Sequence, residues 1–308
     1  MTDSARQRWL GAFNRASARK KRALWVLVFL SPTIIYFLIF QGAPILVGVY
    51  MSFFHGSPLL GKADFVGLRN FLDIILTDRL FYHSLKVTVI YVLGSVTLSN
   101  LIGLFLALLL NRPITGRNLM RSTLYFPQMI TGVVIALMFT SMMDPHVGVL
   151  NVLLGNVGIR PIRWLTSPAT AMASMILVTV WQGMGYRMVI FLAGLQGIPQ
   201  VYYDAARVDG ATPVSEVLYV TLPLLRDTIL FNTVTATIGA FQSFALPFIM
   251  TGGGPAQATW LYAYNIYQMG FDRLSFGYAA ALSMVLLVVI FTLSLLQLRL
   301  GRERLEYY

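Results

Sequence analysis

The residues of this sequence whose types and spacing could do chemistry sit in two places, and neither is laid out for bond making. The first is Tyr203 to Pro223, YDAARVDGATPVSEVLYVTLP, where Asp204, Arg207, Asp209 and Glu216 stand among small side chains. These charges alternate with alanines, Ala205, Ala206 and Ala211, and the stretch reads as a compact helical knob at the membrane surface, too polar to insert. The second is Arg187, at the end of Trp181-Gln182-Gly183-Met184-Gly185-Tyr186-Arg187, inside a long apolar run. A guanidinium at that depth is costly unless it faces protein or water. Two readings stay open for it. Either it lines a path and binds hydroxyl or anionic groups, or it is a structural charge held by the carbonyls of a broken helix.

Other chemistries are excluded by what is missing. There is no cysteine, and the three histidines, His55, His83 and His146, are far apart with no metal-ligand pairing. No disulfide, thiolate nucleophile or metal site is therefore expected. No G-x-x-x-x-G-K-[ST] phosphate loop occurs, so the chain is not expected to hydrolyse ATP. No nucleophile, base and orienter come together in the sequence either, and neither an enzyme nor a cofactor is expected.

The elements that must position these residues are membrane spans. Of 308 residues, 57% are hydrophobic and 11% charged, and the mean hydropathy is +0.70. These values suit a polytopic, all-α membrane protein. The net charge of +11 does not point to nucleic acid, because the Lys and Arg residues collect at the edges of apolar runs. A basic segment, 1–22, carries Arg6, Arg8, Arg15, Arg19, Lys20, Lys21 and Arg22. An interfacial helix is expected there, anchored by Trp9 and Phe13 on anionic lipid. The next apolar run is too long for a signal-peptide core, so a retained first span is expected.

Six spans follow over 23–298: Ala23 to Tyr50, His83 to Leu110, Leu124 to Met143, Ala169 to Leu195, Leu224 to Met250 and Tyr278 to Leu298. About 20 apolar residues cross a bilayer, so the first run implies tilt or an exit turn near Pro44. A tail, 299–308, ends the chain. With six spans both termini share one face, together with the loop from Arg112 to Arg121 and the stretch 199–223. That face holds most of the Lys and Arg and is expected to be cytoplasmic. Within 199–223, two short helices are expected, bent at Gly210 where a left-handed backbone is needed. Thr212 caps the second helix, Pro213 opens it, and Glu216 lies in its first turn.

At this point the residues resemble a known family. Asp204-Ala205-Ala206, Asp209-Gly210-Ala211 and Leu222-Pro223 are similar to the EAA loop of permease subunits in binding-protein-dependent ABC importers. Asp204 stands where the family usually has Glu, and Val220 where it usually has Ile. Phe65-Val66-Gly67-Leu68-Arg69-Asn70-Phe71 and Thr251-Gly252-Gly253-Gly254-Pro255 resemble segments of the carbohydrate-uptake, maltose and glycerol-phosphate type of that family. The resemblance implies a type I importer permease fold with a cytoplasmic coupling helix, in which Asp204, Ala205, Ala206, Asp209, Gly210, Ala211, Leu222 and Pro223 meet a separate ATPase. It also implies a second homologous permease, two ATP-binding subunits, an extracytoplasmic solute-binding protein and a bacterial inner-membrane setting.

For a sugar-type substrate, planar faces and amides are the groups to look for. The expected path residues are Gln182, Tyr186, Arg187, Phe241, Gln242 and Phe244, drawn from a wider set with Asn232, Ser243, Tyr262, Tyr264 and Asn265. The competing reading is a secondary transporter driven by an ion gradient. Such proteins tend to carry carboxylates near the midplane, and no Asp or Glu is expected inside these spans.

Overall fold

The computed structural model describes residues 25–57 and 61–302. The basic segment 1–22, with Trp9 and Phe13, and the tail past residue 302 lie outside the described residues. Helix α1, Trp25–Met51, is apolar on every side, and its most apolar stretch is 0% buried within the chain. The exit turn expected near Pro44 does not form. A π-helical turn, Leu38–Gly42, comes just before Pro44 instead. Proline lacks an N–H and crowds the carbonyl four residues back, and a widened turn absorbs both without ending the helix.

The chain is mostly helical, as expected, and carries one small hairpin among the described residues, β1 (Phe54–Ser57) and β2 (Lys62–Phe65), antiparallel with Phe54 opposite Phe65. Helix α2, Arg69–Leu76, follows. Asn70, buried, donates from Nδ2 to the carbonyls of Ser52 and Phe54, each at 2.8 Å, and so ties α2 to the end of α1.

Helices α3, Arg79–Leu110, and α7, Pro168–Gln196, form the central pair. Asp78 caps α3, accepting from the backbone N–H groups of Leu80 and Phe81 at 2.8 and 3.1 Å. Small residues set the α3–α7 spacing. A Cβ on Gly94 would stand 2.7 Å from Ile176, and one on Gly103 2.6 Å from the Cβ of Arg187. The paired positions rise together along both chains, so the two helices run parallel. Close approach of this kind is how helices gain contact where lipid removes the hydrophobic driving force.

The third span is not the straight helix expected from Leu124 to Met143. It is a bent pair, α4 (Arg117–Met129) and α5 (Gly132–Met142), at 97°. Pro127 sits in a 3-10 turn at the end of α4, and Ile130 and Thr131 have extended backbones that cannot carry the helix onward. Gly185 of α7 packs against α4, where a Cβ would lie 1.9 Å from the carbonyl oxygen of Leu124. Beyond α5, a short helix, α6, Val149–Asn156, lies in the stretch that leads to α7.

Two short helices then precede the fifth span: α8, Gln200–Val208, and α9, Pro213–Leu224, the latter with a π turn at Val217–Thr221. The span itself, α10, is Arg226–Phe241, meets α9 at 67°, and stops well before the expected Met250. Past Phe241 the chain breaks at Gln242 and makes a π turn at Pro247–Thr251, where Gly252 and Gly253 take φ of +57° and +75°. Helix α11, Tyr262–Tyr267, and the last span α12, Phe276–Arg302, complete the bundle. Among the described residues four helices are thus long and apolar enough to cross a membrane, and up to six spans result if each bent pair counts as one. The core between them gathers Tyr91, Ile135, Met175, Val178, Tyr262 and Leu282.

Candidate functional site

The docking stretch folds as its residues prescribe. Helix α8 ends at Asp209, and Gly210 takes φ +79°. That left-handed turn lets the N–H of Gly210 reach the carbonyl of Arg207 at 3.0 Å, and the N–H of Ala211 reach that of Ala206 at 2.9 Å. Thr212 Oγ1 accepts from the N–H of Ser215 at 3.3 Å, with Pro213 in the first turn and Glu216 behind it. Arg207 then clasps the two helices. Its Nε donates to Glu216 Oε1 at 2.9 Å and its Nη1 to Asp204 Oδ1 at 3.4 Å. The hydrogen bond to Glu216, with that residue's charge, raises the guanidinium above its ordinary pKa. Tyr203 and Thr221 join hydroxyls at 3.2 Å across the same corner.

Of the expected docking residues, Asp204, Ala205, Asp209, Gly210 and Pro223 are exposed, while Ala206, Ala211 and Leu222 are half-buried. Around them stand apolar side chains that no described residue covers: Val208 is 87% exposed and Tyr219 78%. The outside of the knob thus mixes the charges of Asp204 and Asp209 with exposed apolar side chains, which suits a surface that seats in another protein.

The second place is a cavity of about 270 Å³ among α3, α7, α10 and the end of α4. Its wall carries hydroxyls from Tyr91, Ser95, Ser99, Thr179 and Ser243, with the amides of Gln128 and Gln182. Tyr91 Oη lies 2.7 Å from Thr179 Oγ1 and 3.2 Å from Ser243 Oγ, which links three helices. Gln182 Nε2 donates to the carbonyl of Ile130 at 3.2 Å, satisfying backbone freed by the α4–α5 break.

Arg187 lines this cavity. Its Nη1 donates to Thr235 Oγ1 at 2.9 Å and to the backbone and side-chain oxygens of Asn232 at 3.2 and 3.3 Å. The guanidinium carbon lies 5.2 Å from the centre of the Tyr186 ring, a cation–π contact. All of these partners are neutral. Asp227 falls within the fifth span as drawn from Leu224, but it occupies the first turn of α10 at its knob-side end.

Of the six expected path residues, the structure brings Gln182 and Arg187 to the cavity wall and leaves four elsewhere. Tyr186 lies beneath Arg187, and Phe241 is 2% exposed in the core. Gln242 faces a groove against α12, lined with Leu286 and Phe291. Phe244 stacks on Phe248 at 5.0 Å in an aromatic cluster with Tyr267. Tyr262 and Asn265 are fully buried, and the Tyr262 N–H donates to Thr88 Oγ1 at 2.8 Å. The cavity residues not picked out from the sequence, Tyr91, Ser95 and Ser99, had a signal. With Ser84 and Thr88 they recur every three or four positions, a polar stripe along one face of an apolar helix.

A membrane bundle with a polar cavity between its spans and a helical knob at one end defines a transport subunit. Residues 99–304 match the family model "Binding-protein-dependent transport system inner membrane component", and the chain belongs to that family. It is 37% identical to the "Probable ABC transporter permease protein YesP" of Bacillus subtilis over 300 residues, 96% of each chain. It is 32% identical to the "Trehalose/maltose transport system permease protein MalF" of Thermococcus litoralis, over 89% of this chain and 92% of that one. Among solved structures, its fold matches a chain of a bacterial ABC transporter involved in the import of the acidic polysaccharide alginate. The TM-score is 0.80 at 24% identity, covering 95% of this chain and 100% of that one.

Proposed function

We propose that this chain is the permease subunit of an ATP-driven importer for a sugar, oligosaccharide or related polyol, and that it forms half of the translocation path. The observation that carries the proposal is the exposed two-helix knob, Gln200–Val208 and Pro213–Leu224, in a chain whose relatives are ABC permeases. The sequence has no phosphate loop, so ATP is hydrolysed on a separate partner. The full assembly holds a second, homologous permease, two ATPase subunits and an extracytoplasmic solute-binding protein. It sits in the bacterial inner membrane with both termini cytoplasmic.

In this mechanism the closing ATPases push the knob, and the spans shift between inward-open and outward-open populations. The knob contacts carry no specificity for the solute. They transmit movement because Asp204, Ala205, Ala206, Asp209, Gly210, Ala211, Leu222 and Pro223 form a stiff, close-fitting surface. Cavity hydroxyls and amides replace the water lost by a polyol on entry, which is what differential binding between the two states requires. No observation favours an ion-gradient mechanism.

The test is affinity purification of this chain from its native membrane, followed by identification of what accompanies it. A phosphate-loop ATPase and a second permease are the expected companions. A homo-oligomer with neither would overturn the assignment.

A further inference from the structure

Within that importer reading, we infer that the solute accepted by this chain carries an oxyanion (a carboxylate, phosphate or sulfonate on a saccharide-sized polyol) and that Arg187 receives it. The inference rests on how the charge of Arg187 is left. The guanidinium has five donors in a fixed fork, and only Nη1 is engaged, by Asn232 and Thr235. Nε and Nη2 have no hydrogen-bond partner among the described residues, and no Asp or Glu forms an ion pair with Arg187 there. The cavity that Arg187 lines contains no carboxylate.

A structural arginine at this depth would be expected to spend its fork on backbone carbonyls or a carboxylate. Here the chain engages one nitrogen and leaves the other two free. Packing also fixes the side chain in place. Gly103 of α3 lies against its Cβ, the Tyr186 ring lies beneath the guanidinium, and α10 holds Nη1. What remains is a preorganised two-nitrogen edge, the geometry that arginine uses for bidentate oxyanion binding. The hydroxyls of Ser95, Ser99, Thr179 and Ser243 around it suit the uncharged remainder of such a solute.

The test uses the complete importer reconstituted in liposomes with its binding protein. The probes are galacturonate oligosaccharides, the same oligosaccharides with their carboxyls reduced to hydroxymethyl groups, and sn-glycerol 3-phosphate. Wild type is expected to take up at least one anionic probe at least about tenfold faster than the neutral set. Arg187→Gln should lose that preference, and Arg187→Lys should recover part of it. Wild-type uptake of the neutral probes alone would overturn the inference and leave the importer reading standing. So would an Arg187→Gln variant that keeps its anion preference. If Arg187→Gln fails to assemble, Arg187→Lys decides: equal effects on anionic and neutral uptake overturn the inference, while a selective rise in KM for the anionic probe supports it. An assembly that hydrolyses ATP but takes up none of the probes counts against the carbohydrate reading as well.

Discussion

At Gly210 one backbone angle holds the knob's shape, because φ of +79° is open to glycine and strained for other residues. Gly210→Ala should cost about 1 kcal/mol locally. Gly210→Pro is more severe, since it demands a negative φ and removes the N–H that bonds Arg207. Both Gly210→Pro and Ala206→Phe are expected to abolish solute uptake while the permease still inserts and is recovered at normal yield. Uptake at the wild-type rate in either variant would remove the knob from the coupling mechanism. Arg187 shows the opposite case, where a residue type alone marked a site but could not say what surrounded it. From sequence, a partner on a broken helix and a place on a path were both open. In the structure Arg187 lines the cavity, and one of its nitrogens bonds Asn232 and Thr235 in the middle of the unbroken helix α10.

Among the elements, α3 depends on a cap that also reaches across the bundle. Asp78 Oδ1 accepts from the first turn of α3, and Oδ2 accepts from the Tyr278 hydroxyl of α12 at 2.7 Å. Asp78→Ala should therefore lower stability by about 1–2 kcal/mol, more than the loss of an isolated cap. Thermal unfolding in detergent would read this as a lower midpoint, and an unchanged midpoint would show that the cross-bundle bond contributes nothing. The elements also divide by how legible they were. The second, fourth and sixth spans were readable because an uninterrupted apolar run longer than a bilayer has few other uses. The knob was readable because Gly210, Thr212 and Pro213 each have a local reason to stand where they do. The breaks at Ile130 and Gln242 were not. Each lies within a run of suitable hydropathy, so the extended backbone at Ile130 and Thr131 leaves no mark in the apolar pattern. Of the expected path residues away from the cavity, Gln242 and Phe244 lie at and beyond the second break, while Tyr186 and Phe241 sit on continuous helix and turn to Arg187 and the core. Beyond the break at Gln242 the helical period no longer says which way a side chain points.

For the whole molecule, the lack of any cysteine makes orientation directly measurable. Single replacements Val208→Cys on the knob and Val147→Cys beyond α5, both largely exposed, should react with membrane-impermeant thiol reagents from opposite faces. Val208→Cys is expected to react only from the cytoplasmic face, and to be shielded once the ATPase is bound. Labelling of both from one face would overturn the six-span arrangement. The same molecule also has the layout of a lever. Helices α9 and α10 meet at Leu225, a single buried pivot residue. Asn232 lies seven residues along α10, about 10 Å from the pivot at the helical rise. A stroke applied to the knob would swing the arm that grips Arg187. On the proposed mechanism the drive end and the load end share one hinge, so a shift at the knob would carry Asn232 and Thr235, the partners of Arg187, along with it.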